Sequence, residues 1–392
     1  MHGSTIAGHA RAPVSPICPK ETIVSGTPVL SKVALVIACS LATLHAPLAC
    51  TAVDIVAADR SVIAGRTMEW AFDMQWTLIS QPKGTPIALT APPGVKLPAK
   101  TVATKYSAVG ISANIIPGGA LLEGQNSAGL GMSGNFLPGF TQYQAVTARD
   151  TNYVSILAFG SWALGNLASV AEVRAALPTI KVWSDPSLPS GPTPPTLHFV
   201  FTDRSGAGVV VEYVNGELRM YDNAAHVLTN APTYDWHLLN LRNYLNLSTV
   251  GLASLEIGTA NVTALGQGGG VTGIPGDFTP PARFVRAAFM RHNLPQPANA
   301  SEAIQAIGHV LNTVDIPLGI AQSRDGAQLV SDYTQWVAIK DLSNNRLMIA
   351  DYNHRLTYVT LDLNVIFAKD KPTSVKVGDL PYPKAIDATK SL

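Results

Sequence analysis

Charge is scarce in this chain: Asp, Glu, Lys and Arg make up only 14% of its 392 residues and sum to a net +1. With no basic or acidic excess, no long-range field gathers nucleic acid or an acidic partner. Cysteine is scarcer still, at three residues, and no paired C-x-x-C is present. There is no G-x-S-x-G, no H-E-x-x-H and no P-loop. The nine histidines show no metal-ligand spacing, and His226 and His237 read as packing or surface residues. No metal and no organic cofactor is expected.

What the chain does have is apolar substance, with 47% hydrophobic residues, a composition that favours a well-buried, enzyme-like core. One apolar run, residues 33–45 behind Lys32, has the length of a signal-peptide h-region and is too short to remain as a membrane span. The expectation is an exported protein, periplasmic or secreted. Residues 1–49 would be removed as a signal or pro-segment, and 50–392 would form one domain with no stable membrane span. The run starts late for a signal, so translation is expected to begin near Val29 or Leu30.

Cys50 stands one residue past this stretch, and three fates are open to it. A cut between Ala49 and Cys50 would make it the first residue of the mature chain, although Pro47 is a poor occupant near a cleavage site. The protein could instead be cut nearby and trim itself to Cys50. In the third case lipid is attached to Cys39 or Cys50, giving a non-catalytic envelope protein, and lipid on Cys50 would abolish its chemistry. Only a free N-terminal cysteine combines a thiol nucleophile and an amine base in one residue. An α-amine titrates near about 7.7–8.0, so it can take the thiol proton and return it to a leaving amine.

Short β signals follow. Thr51–Val56 and Val62–Met68 read as a hairpin, and Leu197–Thr202, Val209–Tyr213 and Glu217–Tyr221 as a meander whose last turn is Asn-Gly. Gln335–Lys340, Arg346–Tyr352 and Thr357–Leu363 repeat the pattern. Helices are expected over residues 153–164, after the capping box at Ser169, and over Pro281–Arg291 and Ser301–Asn312. Strand groups flanking helix pairs indicate an α+β layered fold. Residues 185–195 read as a surface loop. Gly268–Gly273 fits a dinucleotide fingerprint in form, but no helix opens after it. In the first hairpin Arg66 returns towards the start of the first strand, where a cation favours a thiolate. Glu69, three residues on, could hold an ammonium or orient an amine.

Cys50-Thr51, followed by Gly65-Arg66-Thr67-Met68-Glu69-Trp70, resembles the start of the choloylglycine hydrolase family, the bile salt hydrolase and penicillin V acylase group of N-terminal nucleophile hydrolases. The likeness continues through residues 126–138, 227–235 and 273–286. It implies an αββα four-layer sandwich and hydrolysis of a linear carboxamide through a thioester acyl-enzyme. In this resemblance Cys50 is the nucleophile, Arg66 the arginine beside its sulfur, Asn230 an oxyanion donor and Arg283 the arginine that closes the cluster. The second oxyanion donor, a backbone N–H, falls at Phe136 with Asn135 beside it. Glu69 departs from the family's usual Asp next to the N-terminal amine, and Trp70 would lie at the pocket mouth. The signal, Trp70 and Thr279-Pro280-Pro281 look like the Gram-negative penicillin V acylase branch. That branch implies penicillin V or N-acyl homoserine lactones as substrates, with conjugated bile salts as the alternative. A homotetramer would follow from the family, but the segment between Asn230 and Arg283 carries no long charged hairpin to supply its contacts.

Overall fold

The computed structural model describes residues 49–113, 121–184, 195–325 and 328–391. The signal-like run, Cys39 and most of the 185–195 loop lie outside them.

Two antiparallel sheets organise the chain. The first has seven strands, in the order Val227–Leu228, Cys50–Val56, Val62–Trp70, Gln328–Asp341, Arg346–Asp351 and Val359–Asp362, with Ala321–Asp325 paired to one end of the long strand. The second has eight, in the order Glu217–Asp222, Gly208–Val214, Leu197–Thr202, Gly131–Phe136, Glu123–Asn126, Ala108–Ala113, Trp76–Gln81 and Thr373–Lys376. Trp76 of the second sheet meets Trp336 of the first edge-to-face at 5.5 Å, so the sheets are stacked.

A helix layer covers each outer face. Phe284 and Ala287 of Pro280–Asn293, with Ala303, Ile307 and Leu311 of Ala300–Asn312, pack on Val53, Ile63, Val337 and Ile339 of the first sheet. Phe159 of Ile156–Asn166 packs on Phe199 and Phe201 of the second. This is the αββα sandwich of the N-terminal nucleophile hydrolases. Because side chains alternate along a strand, each sheet buries one face against helices and the other against its partner sheet, and its sequence reads as continuous apolar runs.

That alternation sorts the site residues. Cys50 is registered opposite Met68, which puts Cys50, Arg66 and Met68 on the face between the sheets. Gly65, Thr67 and Glu69 point to the helices. At Gly65 a Cβ would stand 2.5 Å from Ile307 and 2.8 Å from Leu311. The absence of a side chain there lets the helix settle directly over the strand that carries Arg66.

The strand and helix readings hold in most places; besides the strands between Trp76 and Asn126, which no reading covers, two segments differ. Tyr153–Ser155 begins the segment read as helix but is a short strand, parallel to Lys181–Trp183, and the helix starts at Ile156 with Ser155 as its cap. The segment 250–266 contains a second hairpin, Ser254–Ile257 with Ala260–Thr263, which stands out from the body with every residue exposed. The Gly268 segment forms a single 3-10 turn, Gly269–Val271. Among the described residues no helix is long and apolar enough to cross a membrane.

Candidate active site

Cys50 opens the first strand and is fully buried. Arg66 Nη2 lies 3.3 Å from its sulfur, and Met68 Sδ lies 3.7 Å away on the same side. Arg66 is held by the Leu122 carbonyl at 3.2 Å and by the Glu123 carboxylate at 3.5 Å, and its guanidinium stands 5.3 Å from the centre of the Trp336 ring. Arg66 therefore presents its positive charge directly to the sulfur, with both side chains fully buried.

The other arginine approaches from the helix side. Arg283 occupies the first turns of Pro280–Asn293, and its Nη1 donates to the Cys50 carbonyl and to Thr51 Oγ1, each at 2.6 Å. Nη2 donates to Asn230 Oδ1 at 2.8 Å, and Nε to the Phe278 carbonyl at 2.9 Å. Asn230 Oδ1 also accepts the Cys50 backbone N–H at 2.5 Å, while Nδ2 donates to the Phe136 carbonyl at 2.9 Å. Two donors on one atom and an acceptor at the other fix which way round this amide sits. In the chain as encoded the Cys50 nitrogen is a peptide N–H, and the Ala49 carbonyl before it accepts from the Glu69 N–H at 2.9 Å.

Four of the residues singled out in the sequence therefore meet directly: Cys50, Arg66, Asn230 and Arg283. Phe136 joins them through its carbonyl. Its ring packs on Trp70 at 4.6 Å, and Trp70 in turn meets Phe72 at 5.9 Å, so an aromatic cluster borders the site. Glu69 and Asn135 stand apart from the sulfur. Glu69 is on the helix-side face, where Oε1 accepts from Thr334 Oγ1 at 2.7 Å and Oε2 has no partner among the described residues. Burial pushes this carboxyl up to about 7 against the pull of Arg283. Asn135 donates through Nδ2 to the carbonyls of Leu228 and Thr229, at 3.1 and 2.9 Å, tying the second sheet to the segment that carries Asn230.

Residues the sequence did not flag complete the support. Asp332, two positions before Thr334 on the same strand, is buried with neither carboxylate oxygen partnered among the described residues; burial raises it to about 7, again against Arg283. His237 is a packing residue, as read, but it also bonds through Nε2 to the Asn230 carbonyl at 2.9 Å and stacks on Phe284 at 4.6 Å. Burial lowers it to about 4, so the ring is neutral and donates to that carbonyl. His198 bridges the Thr229 carbonyl and Glu212, each at 3.0 Å. No local pattern marks these residues: Asp332 has no partner among the described residues, and His237 and His198 bond across irregular spacings of 7, 14 and 31 positions. Among the described residues no cluster of His, Cys, Asp or Glu converges as metal ligands do.

Over most of its length the chain is similar to known proteins. The family model "Linear amide C-N hydrolases, choloylglycine hydrolase family" matches residues 50–374. The "Bile salt hydrolase/transferase" of Clostridium perfringens is 29% identical over 311 residues, covering 78% of this chain and 92% of that protein. The crystal structure of a mutant conjugated bile acid hydrolase from the same organism superposes with a TM-score of 0.73 at 28% identity, covering 83% of this chain and 96% of the other. The penicillin V acylase of Agrobacterium tumefaciens shares the fold, with a TM-score of 0.66 at 22% identity over 83% of this chain and 91% of the other.

Proposed function

This chain belongs to the choloylglycine hydrolase family and is a hydrolase of linear amide C–N bonds; from that premise we propose that it acts through Cys50 as an N-terminal nucleophile. The observation that carries the reading is the convergence on one buried cysteine of Arg66 at its sulfur, Asn230 at its nitrogen and Arg283 at its carbonyl.

In this reading, release of residues 1–49 turns the Cys50 peptide nitrogen into an α-amine. The amine takes the thiol proton as the sulfur attacks the substrate carbonyl. Asn230 Nδ2, with a second hydrogen beyond the one on Phe136, and the Phe136 N–H donate to the developing oxyanion. Collapse of the tetrahedral intermediate returns the proton to the leaving amine and leaves a thioester on Cys50. Water activated by the same amine then releases the carboxylic acid. Arg283 holds the residue that performs both steps, and Arg66 stabilises the sulfur between them.

For the acyl group, the aromatic cluster of Trp70, Phe72 and Phe136 beside the site supports an aromatic or fatty acyl amide, as in penicillin V or an N-acyl homoserine lactone. A second reading, conjugated bile salts, is supported by the names of the relatives. Turnover of penicillin V, an N-acyl homoserine lactone and glycocholate at equal concentration tests the order, and fastest cleavage of glycocholate would reverse it. The intact mass of exported protein tests the nucleophile. A chain beginning at Cys50 is expected, whereas lipid on Cys39 or Cys50 would overturn the proposal.

A further inference from the structure

A buried charge cluster between the two sheets is left over by the reaction just described. Glu123 lies in the second sheet and Lys340 in the first, each with a side chain only 1% exposed. Lys340 Nζ donates to Glu123 Oε1, to Ser133 Oγ at 3.0 Å and to the Met132 carbonyl at 3.3 Å. Glu123 Oε2 faces Arg66 Nη1 at 3.5 Å, and Arg66 Nη2 points at the Cys50 sulfur at 3.3 Å. A continuous line thus runs Lys340, Glu123, Arg66, Cys50. A buried ion pair seldom stabilises a fold more than apolar residues of the same volume would, so stability is a poor account of this one.

Charge gives a better account. Glu123 alone, ionised against Arg66, would hold the guanidinium in place but cancel most of its field at the sulfur. Burial and the neighbouring Arg66 push the Lys340 ammonium well below the usual lysine range, while the Glu123 carboxylate that its Nζ donates to favours the charged form. As an ion pair Lys340 and Glu123 sum to zero, and the cluster's net positive charge is that of Arg66.

We propose that Lys340 is a positioning residue for catalysis: by neutralising Glu123 it lets that side chain fix the Arg66 guanidinium beneath the Cys50 sulfur without cancelling its charge. The inference rests on Cys50 being the nucleophile. The groups that face each member are few. Lys340 faces Glu123, Arg66 and, across a cavity of about 10 Å³ that both line, Asp54, which is bound in turn to His226, Asn223 and Thr202. The Cys50 sulfur faces Arg66 and Met68. Arg283 holds the Cys50 carbonyl from the other face of the sheet, where Glu69 and Asp332 also lie.

The test is the pH dependence of iodoacetamide alkylation at Cys50, located by peptide mapping, together with the pH profile of kcat/KM. Both are measured on mature enzyme from the full chain, as wild type, K340M, E123Q and the E123Q/K340M double variant. In K340M the carboxylate of Glu123 is left against Arg66, and the alkylation midpoint is expected to rise by about 1 pH unit or more, the range typical of losing one close opposite charge, with KM little changed. In E123Q the uncompensated Lys340 sheds its proton, one positive charge remains, and the midpoint stays near wild type. The double variant restores the charge count and returns the midpoint. A merely structural role predicts the reverse order, with E123Q, which touches Arg66, the more damaging and the double variant no better than either single one. Should K340M not fold, Lys340→Gln makes the same charge change with its hydrogen bonds to Ser133 and Met132 kept. Wild-type Cys50 that does not alkylate would sink the nucleophile reading and this inference with it. A K340M or K340Q profile that superposes on wild type overturns the inference alone.

Discussion

Two hairpins in this molecule have opposite fates. Cys50–Val56 with Val62–Trp70 is buried almost throughout, including Arg66 and Glu69 at 0% exposure. Ser254–Ile257 with Ala260–Thr263 is exposed throughout, including Leu255 at 55% and Ile257 at 61%. Each inverts the usual rule, with charge inside in one and aliphatic side chains outside in the other. The first can do so because its second strand is central in a sheet covered on both faces, so Arg66 and Glu69 find partners on neighbouring strands, although Arg66 Nε and Glu69 Oε2 have none among the described residues. The second pairs only with itself, and a lone two-stranded unit gains little from burial. Buried polar groups, most but not all of them partnered, are what gathers around Cys50.

The sharpest way to break that contrast is to remove the sulfur. Cys50→Ala is expected to abolish amide hydrolysis, by about 10⁴-fold or more, while circular dichroism and the unfolding midpoint stay close to wild type. Residual turnover above a few per cent would locate the nucleophile elsewhere. Asn230→Ala should come next. Losing one oxyanion donor typically lowers kcat by about 10²–10³-fold, some 2.7–4 kcal/mol of transition-state stabilisation. Here the variant also frees two donors, the Cys50 N–H and Arg283 Nη2. A fall in kcat with KM nearly constant is the expected signature, and a change confined to KM would make Asn230 a binding residue only.

Glu69 tests the buried hairpin through pH. Its carboxyl, near 4.5 when unfolded, is raised to about 7 by burial in the folded chain. Below the lower value both states hold the proton, so the folded state is not penalised. Between the two only the folded state holds it, and stability falls as pH rises through that window, then stays lower above it. One such group corresponds to roughly 3 kcal/mol across the window. Denaturant unfolding of unprocessed full-length chain at pH 5 and pH 8 should therefore show a loss that Glu69→Gln largely removes. Asp332, raised for the same reason, supplies a second share that the variant leaves in place. Equal slopes in wild type and variant would show that the Glu69 carboxyl is ionised when folded.

Much of this was legible in the sequence because it is local. The turn at residues 57–61 sets the register that returns Arg66 to the start of the first strand, and Ser169 with Glu172 signs its own helix start. Arg283, Asn230 and Phe136 were found only through the ordered motifs of a family, since no spacing rule predicts that residues 233 and 180 positions away will grip Cys50. Lys340 and Glu123 carried no signal at all. A lone lysine in the apolar run Val337-Ala-Ile-Lys340 reads as a strand-end charge, and it becomes a buried one only when the second sheet closes over it. The strands between Trp76 and Asn126 were missed for a related reason, as Gly110 and Gly124 sit opposite each other there. A Cβ at either would meet backbone of the neighbouring strand at 2.1 and 2.4 Å. Glycines in a strand interior weaken the local β signal where close packing of strands demands them.

The smallest expected effect falls on the exposed hairpin. Replacing Leu255 and Ile257 by Ser removes two branched side chains that touch little in this chain, so at low protein concentration the unfolding free energy should shift by no more than about 0.5 kcal/mol, the usual range for surface substitutions. kcat should stay within twofold of wild type, since no residue of this hairpin bonds any of the site residues. The same pair of changes made in the buried hairpin, for instance Val53 and Ile55 to Ser, would strip apolar contacts and strand two hydroxyls in the layer against Phe284 and Ile307. That is expected to cost several kcal/mol, enough to unfold a domain of ordinary stability. If instead the exposed pair of substitutions lowered the unfolding midpoint comparably when measured on dilute protein, the contrast between the hairpins would fail, and the outer one would have to be counted as part of the folded core.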